Sequence, residues 1–144
     1  IARAMEFAVE AEIKAASLRG TQTIATLPNA WWLGLTHGHL LFSITFPDGR
    51  RKDVHTPFLG VGRWVRVAAT YSGDVISLEV DGKRVVAEAS GCTGRGPVGP
   101  YILLGSSDGS RAGADLLPFR GKFVGGMDNL TFKDTSNDAP YTCD

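Results

Sequence analysis

The stretch Arg63 to Arg84, RWVRVAATYSGDVISLEVDGKR, limits the possible folds more than any other part of the chain. Val65, Val67, Ala69 and Tyr71 share one face of an alternating run, and Ile76, Leu78 and Val80 share one face of a second. Period-two alternation interrupted by Ser72-Gly73-Asp74 predicts two antiparallel strands joined by a turn. Asp81-Gly82 then closes the second strand with a dipeptide that tolerates positive φ at both positions. The stretch reads as a β-hairpin followed at once by another turn.

The same alternation recurs along the chain. Phe7, Val9, Ala11 and Ile13 face one way in Glu6 to Lys14, with Glu6, Glu10 and Glu12 on the other side, as in a half-buried antiparallel strand. Gln22 to Leu27 is a short strand ended by Pro28-Asn29. Trp31, Leu33 and Leu35 alternate up to a turn at His37-Gly38, and Leu40, Phe42, Ile44 and Phe46 alternate after it. Arg50 to His55 is a polar, edge-like strand, and Val85 to Ala89 continues the pairing after Asp81-Gly82. Tyr101 to Gly105 forms a brief apolar strand, and the last strand ends at Phe132.

Turns occupy most of the remainder, consistent with 18 glycines and 7 prolines spread between short apolar runs. Ser106 to Leu117 is a loop of about a dozen residues, long enough to be a functional candidate. No segment carries helical periodicity. The expectation is an all-β, two-sheet antiparallel jelly-roll sandwich over residues 1–133, with a polar tail at 134–144.

Composition narrows the function. A chain of 144 residues makes one domain that buries about two-thirds of its unfolded surface. Fifteen basic and fifteen acidic residues cancel, so no global field draws in nucleic acid or an anionic membrane. No run approaches the ~20 apolar residues of a membrane span. There is no signal peptide, and Ile1 reads as a processed or truncated start.

Cys92 and Cys143 lack C-x-x-C spacing, which argues against zinc or dithiol chemistry. Two loop cysteines in a β-rich chain suit a disulfide, and with it a secreted or extracellular setting. Two separate thiols are the alternative. A bridge would pin the tail.

The order of motifs resembles laminin G-like domains, which are concanavalin A-like jelly rolls. The central match is Trp64, Val67, Ala68, Tyr71, Val80, Asp81, Gly82 and Lys83. Phe7-x-Val9-Glu10-Ala11-x-Ile13-Lys14, the aromatic-Leu-Gly-Leu strand, Ile102-Leu103-Leu104-Gly105 and Gly125-x-Met127-Asp128-Asn129-Leu130-x-Phe132 extend it from Glu6 to Lys133. The stretch from Gly105 to Gly126 and the placement of the cysteine pair depart from the family pattern.

The resemblance implies a binding module, and many such domains hold one Ca²⁺ at a rim through carboxylates and carbonyls. Asp108 and Asp115 lie in the stretch whose composition best suits Ca²⁺, with Asp128 more distant and expected to be structural. Calcium is therefore the one candidate cofactor.

For a polysaccharide or glycan, an aromatic face and nearby polar groups are needed. Trp32 is in phase with Gly34 and Thr36 rather than with the core, so it is expected on an outer face. There it either stacks on a sugar, with His37, His39 and Tyr101 orienting hydroxyls, or packs beneath a loop. Trp64, Tyr71 and Asp81-Gly82 read as scaffold. Arg50, Arg51 and Lys52 suit either sulfated or uronic glycans or plain solvation.

The leading expectation is a non-catalytic, lectin-like module. The alternative is an adhesion domain that binds an extracellular protein through rim loops, with calcium as an aid. A third reading, a glycoside hydrolase or lyase, rests on Glu10 and Glu12, whose i, i+2 spacing suits paired carboxylates. No third acid extends that pair into the E-x-D-x-E pattern of sandwich glycosidases.

Overall fold

The computed structural model describes residues 6–27, 30–46, 50–72, 75–88, 92–93, 103–104, 122–134 and 142–143. Twelve strands account for most of them. They are β1 (Glu6–Ala15), β2 (Thr21–Leu27), β3 (Trp31–Thr36), β4 (His39–Thr45), β5 (Arg51–Pro57) and β6 (Val65–Ser72). After these come β7 (Val75–Val80), β8 (Lys83–Glu88), β9 (Cys92–Thr93), β10 (Leu103–Leu104), β11 (Gly125–Asp134) and β12 (Thr142–Cys143).

The strands form two five-stranded antiparallel sheets, ordered β11-β1-β6-β7-β8 and β10-β2-β3-β4-β5, with β12 and β9 as a small separate pair. Each expected strand is present within a residue or two at its ends among the described residues. The Arg63–Arg84 stretch supplies β6 and β7 and the turn into β8, with Val67 opposite Val80 and Tyr71 opposite Ile76. Asp81 and Gly82 both take positive φ, 48° and 83°, which is the geometry a two-residue hairpin turn needs.

Alternation decides which side chains meet between the sheets. Phe7, Val9, Ala11 and Ile13 from β1 are buried, as are Val65, Val67, Ala69 and Tyr71 from β6. Trp31, Leu33 and Leu35 from β3 and Leu40, Phe42 and Ile44 from β4 meet them from the other sheet. The centre is aromatic. Trp31 stacks on Phe7 at 5.6 Å and on Phe132 at 5.8 Å between ring centroids, and Phe42 meets Phe7 edge-on at 5.9 Å. Offset and edge-on ring pairs of this kind add to the burial of apolar area.

Two irregularities shape the outer faces. In β11, Glu10 pairs with Thr131 but Glu12 pairs with Asp128, so Asn129 and Leu130 lie opposite the single residue Ala11. Asn129 absorbs the bulge with φ 51°, a conformation that asparagine tolerates better than most residues. In β2 the register shifts between Thr23 and Ala25.

Candidate functional site

Trp32 is the aromatic residue expected either to stack on a sugar or to pack beneath a loop, and its burial speaks against stacking. It does stand outside the inter-sheet core, as its phase requires, but it is only 2% exposed. Its Nε1–H donates to the Thr23 hydroxyl at 2.9 Å. The indole lies over Gly34, whose missing side chain leaves room for the protein's own ring rather than for a ligand: a Cβ there would stand 2.4 Å from Cη2 of Trp32 and 2.3 Å from the Gln22 carbonyl.

Gly34→Ala is therefore expected to destabilise the domain by about 2–3 kcal/mol through overpacking against a backbone carbonyl that cannot retreat. A melting temperature equal to the parent's would show that the indole can lift away, and would reopen Trp32 as a contact residue.

The other expected sugar contacts do not gather around Trp32. His37 occupies the β3–β4 turn with φ 49° and is exposed. His39 opens β4 opposite Thr36, four residues and about 13 Å along the strand from Trp32. Tyr101 lies outside the described residues, as do Asp108 and Asp115. Among the described residues no three His, Cys, Asp or Glu side chains converge. Asp128 accepts a hydrogen bond from the Asn129 N–H at 2.8 Å, which supports the bulge. The calcium expectation thus rests on Asp108 and Asp115.

The outer face of the β11-β1-β6-β7-β8 sheet offers a better site. Two adjoining depressions share Glu10: one is bounded by Glu12, Arg66, Asn129 and Thr131, the other by Ala68, Thr70, Ser77, Glu79 and Arg84. Arg66 donates to Glu10 at 2.8 Å, and Asn129 Nδ2 donates to Glu12 at 3.0 Å. Thr70 and Ser77 face each other across β6 and β7 and share a hydroxyl–hydroxyl bond. Short side chains make the floor, and charged and amide groups make the rim.

An indole also lies on this face. Trp64 precedes β6 in phase with Arg66, Ala68 and Thr70, and is 49% exposed. Its ring reaches across the line of β1 to rest over Gly126 of β11, where a Cβ would meet Cη2 at 2.8 Å. The outer edge of the ring thus packs against the β11 backbone, and Trp64 stands two residues along the chain from Arg66. The signal for this was present in the sequence, since Trp64 is out of phase with the buried Val65 and Val67. Its position at the head of a motif made it read as scaffold.

Glu10 and Glu12 stand on this face too, as their alternation predicts, each hydrogen-bonded to a neighbour. Lys14 occupies the next position on the same side. At one end of the sandwich Leu59, Val61 and Val124 are also exposed, Leu59 at 88%. The Gly62 N–H donates to the Ala15 carbonyl and the Ala16 N–H to the Val124 carbonyl, which fixes both loops at the end of β1.

An antiparallel two-sheet sandwich with this strand order is a jelly-roll β-sandwich domain. Residues 27–135 match the Laminin G domain family, and the chain belongs to it. The mouse basement membrane-specific heparan sulfate proteoglycan core protein is 35% identical over 100 residues, covering 66% of this chain. The chain spans about 2% of that relative's length.

Among solved structures, domains LG4-5 of the mouse laminin alpha1 chain superpose with a TM-score of 0.72 at 21% identity, over 96% of this chain and 38% of that one. The binding domain of botulinum neurotoxin DC, solved in complex with SialylT, shares the fold more distantly. It has a TM-score of 0.56 at 17% identity, over 68% of this chain and 27% of that one.

Proposed function

We propose that the chain is a non-catalytic recognition module of an extracellular protein, and that it binds a glycan on the outer face of the β11-β1-β6-β7-β8 sheet. The observation that carries this reading is the placement of Trp64. It is a half-exposed indole packed against a glycine, on the same sheet face as Arg66 and a row of hydrogen-bonding side chains. Sugars are held by such a combination, in which an apolar ring meets C–H groups while carboxylates, amides and guanidinium meet hydroxyls. The likeness to the proteoglycan core protein supports the extracellular setting. Engagement of Glu10 by Arg66 and of Glu12 by Asn129 supports a binding role for the two carboxylates over hydrolysis.

A polysaccharide pull-down or glycan array with the whole chain tests the reading. Trp64→Ala is expected to weaken binding roughly 10- to 100-fold, the worth of one buried aromatic contact, with the fold intact by near-ultraviolet circular dichroism. Arg66→Ala is expected to weaken it as well. Undiminished binding by Trp64→Ala removes the platform from the account.

A protein partner is the second reading, favoured by the exposed apolar rim of Leu59, Val61 and Val124. Loss of partner binding in Leu59→Asp, with Arg66→Ala unaffected, would select it.

We also propose that Cys92 and Cys143 form a disulfide. The support is their register: β9 and β12 pair antiparallel with Cys92 directly opposite Cys143. Directly opposed residues in such a pair have Cα atoms about 4.5–5.5 Å apart, inside the range that a disulfide spans.

A further inference from the structure

The three histidines of the chain sit at one corner of the β10-β2-β3-β4-β5 sheet. His37 belongs to the β3–β4 turn, and His39 is the first residue of β4. His55 in β5 lies opposite Leu41, on the same outer face as His39. The rings of His39 and His55 have centroids 5.2 Å apart and planes inclined at 75°. We propose that His39 and His55 form a two-ligand site for a tetrahedral divalent cation of the Zn²⁺ type.

Geometry is the first argument. Two imidazoles bound at about 2.0 Å to one tetrahedral ion have ring centroids about 3.2 Å from the metal, and at about 109° those centroids are about 5.2 Å apart. The observed spacing matches without any strand movement. Adjacent ligands on a square-planar ion would need about 4.5 Å, so the spacing favours Zn²⁺ over Cu²⁺.

Tautomer is the second argument. The Nδ1 of His39 lies 3.2 Å from the carbonyl oxygen of His37. A carbonyl only accepts, so Nδ1 carries the proton and Nε2 keeps its lone pair for a metal. A backbone carbonyl holding the distal ring N–H is the usual outer-shell arrangement around a metal-binding histidine.

The framework is the third. The Phe58 N–H donates to the Gly38 carbonyl at 3.0 Å, and the β4–β5 ladder runs unbroken from His39 to Thr45. The two rings therefore stand on paired strands rather than on free loops. Among the described residues no third protein ligand joins them, and the proposed site leaves its remaining positions to water or an added donor. Such a site is open and exchangeable.

Calorimetric titration of the whole chain with ZnCl₂ is expected to show one ion bound per chain. His39→Ala and His55→Ala are each expected to weaken binding more than about tenfold, through loss of one of two ligands. His37→Asn is expected to keep the affinity within about twofold, because His37 acts through its carbonyl and asparagine tolerates positive φ. Co²⁺ in place of Zn²⁺ is expected to give the intense visible band of tetrahedral coordination. No heat with the parent chain overturns the site. So does equal weakening in all three variants, which indicates loose surface histidine binding, or a weak octahedral Co²⁺ spectrum unchanged in His55→Ala.

Discussion

Replacing Trp31 with alanine is expected to remove about 3–5 kcal/mol of unfolding free energy, the range for deleting a large aromatic side chain from a packed core. Trp31 belongs to β3, yet it stacks on Phe7 from β1 and on Phe132 from β11, both in the opposite sheet. Its loss opens a void at the one place where rings from both sheets interlock. Strands held in two ladders cannot close that void without giving up backbone hydrogen bonds. For a domain of this size the melting temperature is expected to fall by about 10 °C.

Urea denaturation should show an earlier midpoint with an unchanged slope. Trp31→Phe is the informative companion. It keeps an aromatic face for Phe7 and Phe132, and it removes an indole N–H that is buried without a partner among the described residues. An unpaired buried donor carries a desolvation cost of about 1–3 kcal/mol, so Trp31→Phe should lose far less than Trp31→Ala. A loss below about 1 kcal/mol in Trp31→Ala would mean that the sheets re-pack freely, contrary to a core this tightly filled.

Breaking the proposed Cys92–Cys143 bridge is expected to cost about 4 kcal/mol, the chain-entropy value for a closed loop of roughly 50 residues. The loop holds β10 and β11, and with them Phe132 and the bulge that brings Asn129 to Glu12. Cys92→Ser, Cys143→Ser and a reducing agent should each lower the melting temperature to a similar degree, with the double variant no worse than either single one. Mass spectrometry of the unreduced protein provides the direct check, and two free thiols would end the proposal.

Most of the architecture was readable from alternation. Glu6 to Lys14 and Trp31 to Phe46 show apolar residues at every second position because one face is buried against the other sheet. A one-residue slip would turn that whole set outward, so the pattern fixes register as well as strand identity. His37-Gly38 and Asp81-Gly82 were equally legible, since few dipeptides accept positive φ twice.

The site was less legible, and the two tryptophans show why. Alternation assigns a side chain to a face, and it correctly placed Trp32 outside the core. It does not say what covers that face, and Trp32 is buried there over Gly34. The converse held for Trp64, whose ring packs against Gly126, a residue about 60 positions away that only strand pairing brings near. The meeting of His39 with His55 depends likewise on the β4–β5 register. Contacts between neighbours in sequence leave a local trace, whereas contacts made by sheet order leave none.

The pairing of β1 with β11 has a mechanical consequence. The first and last strands of the two large sheets lie side by side and antiparallel, with Phe7 opposite Asp134. The start of β1 and the end of β11 therefore share one corner of their sheet. A pull applied to those two strand ends would load the ladder from that corner, one pair of hydrogen bonds at a time, rather than shearing all of them together.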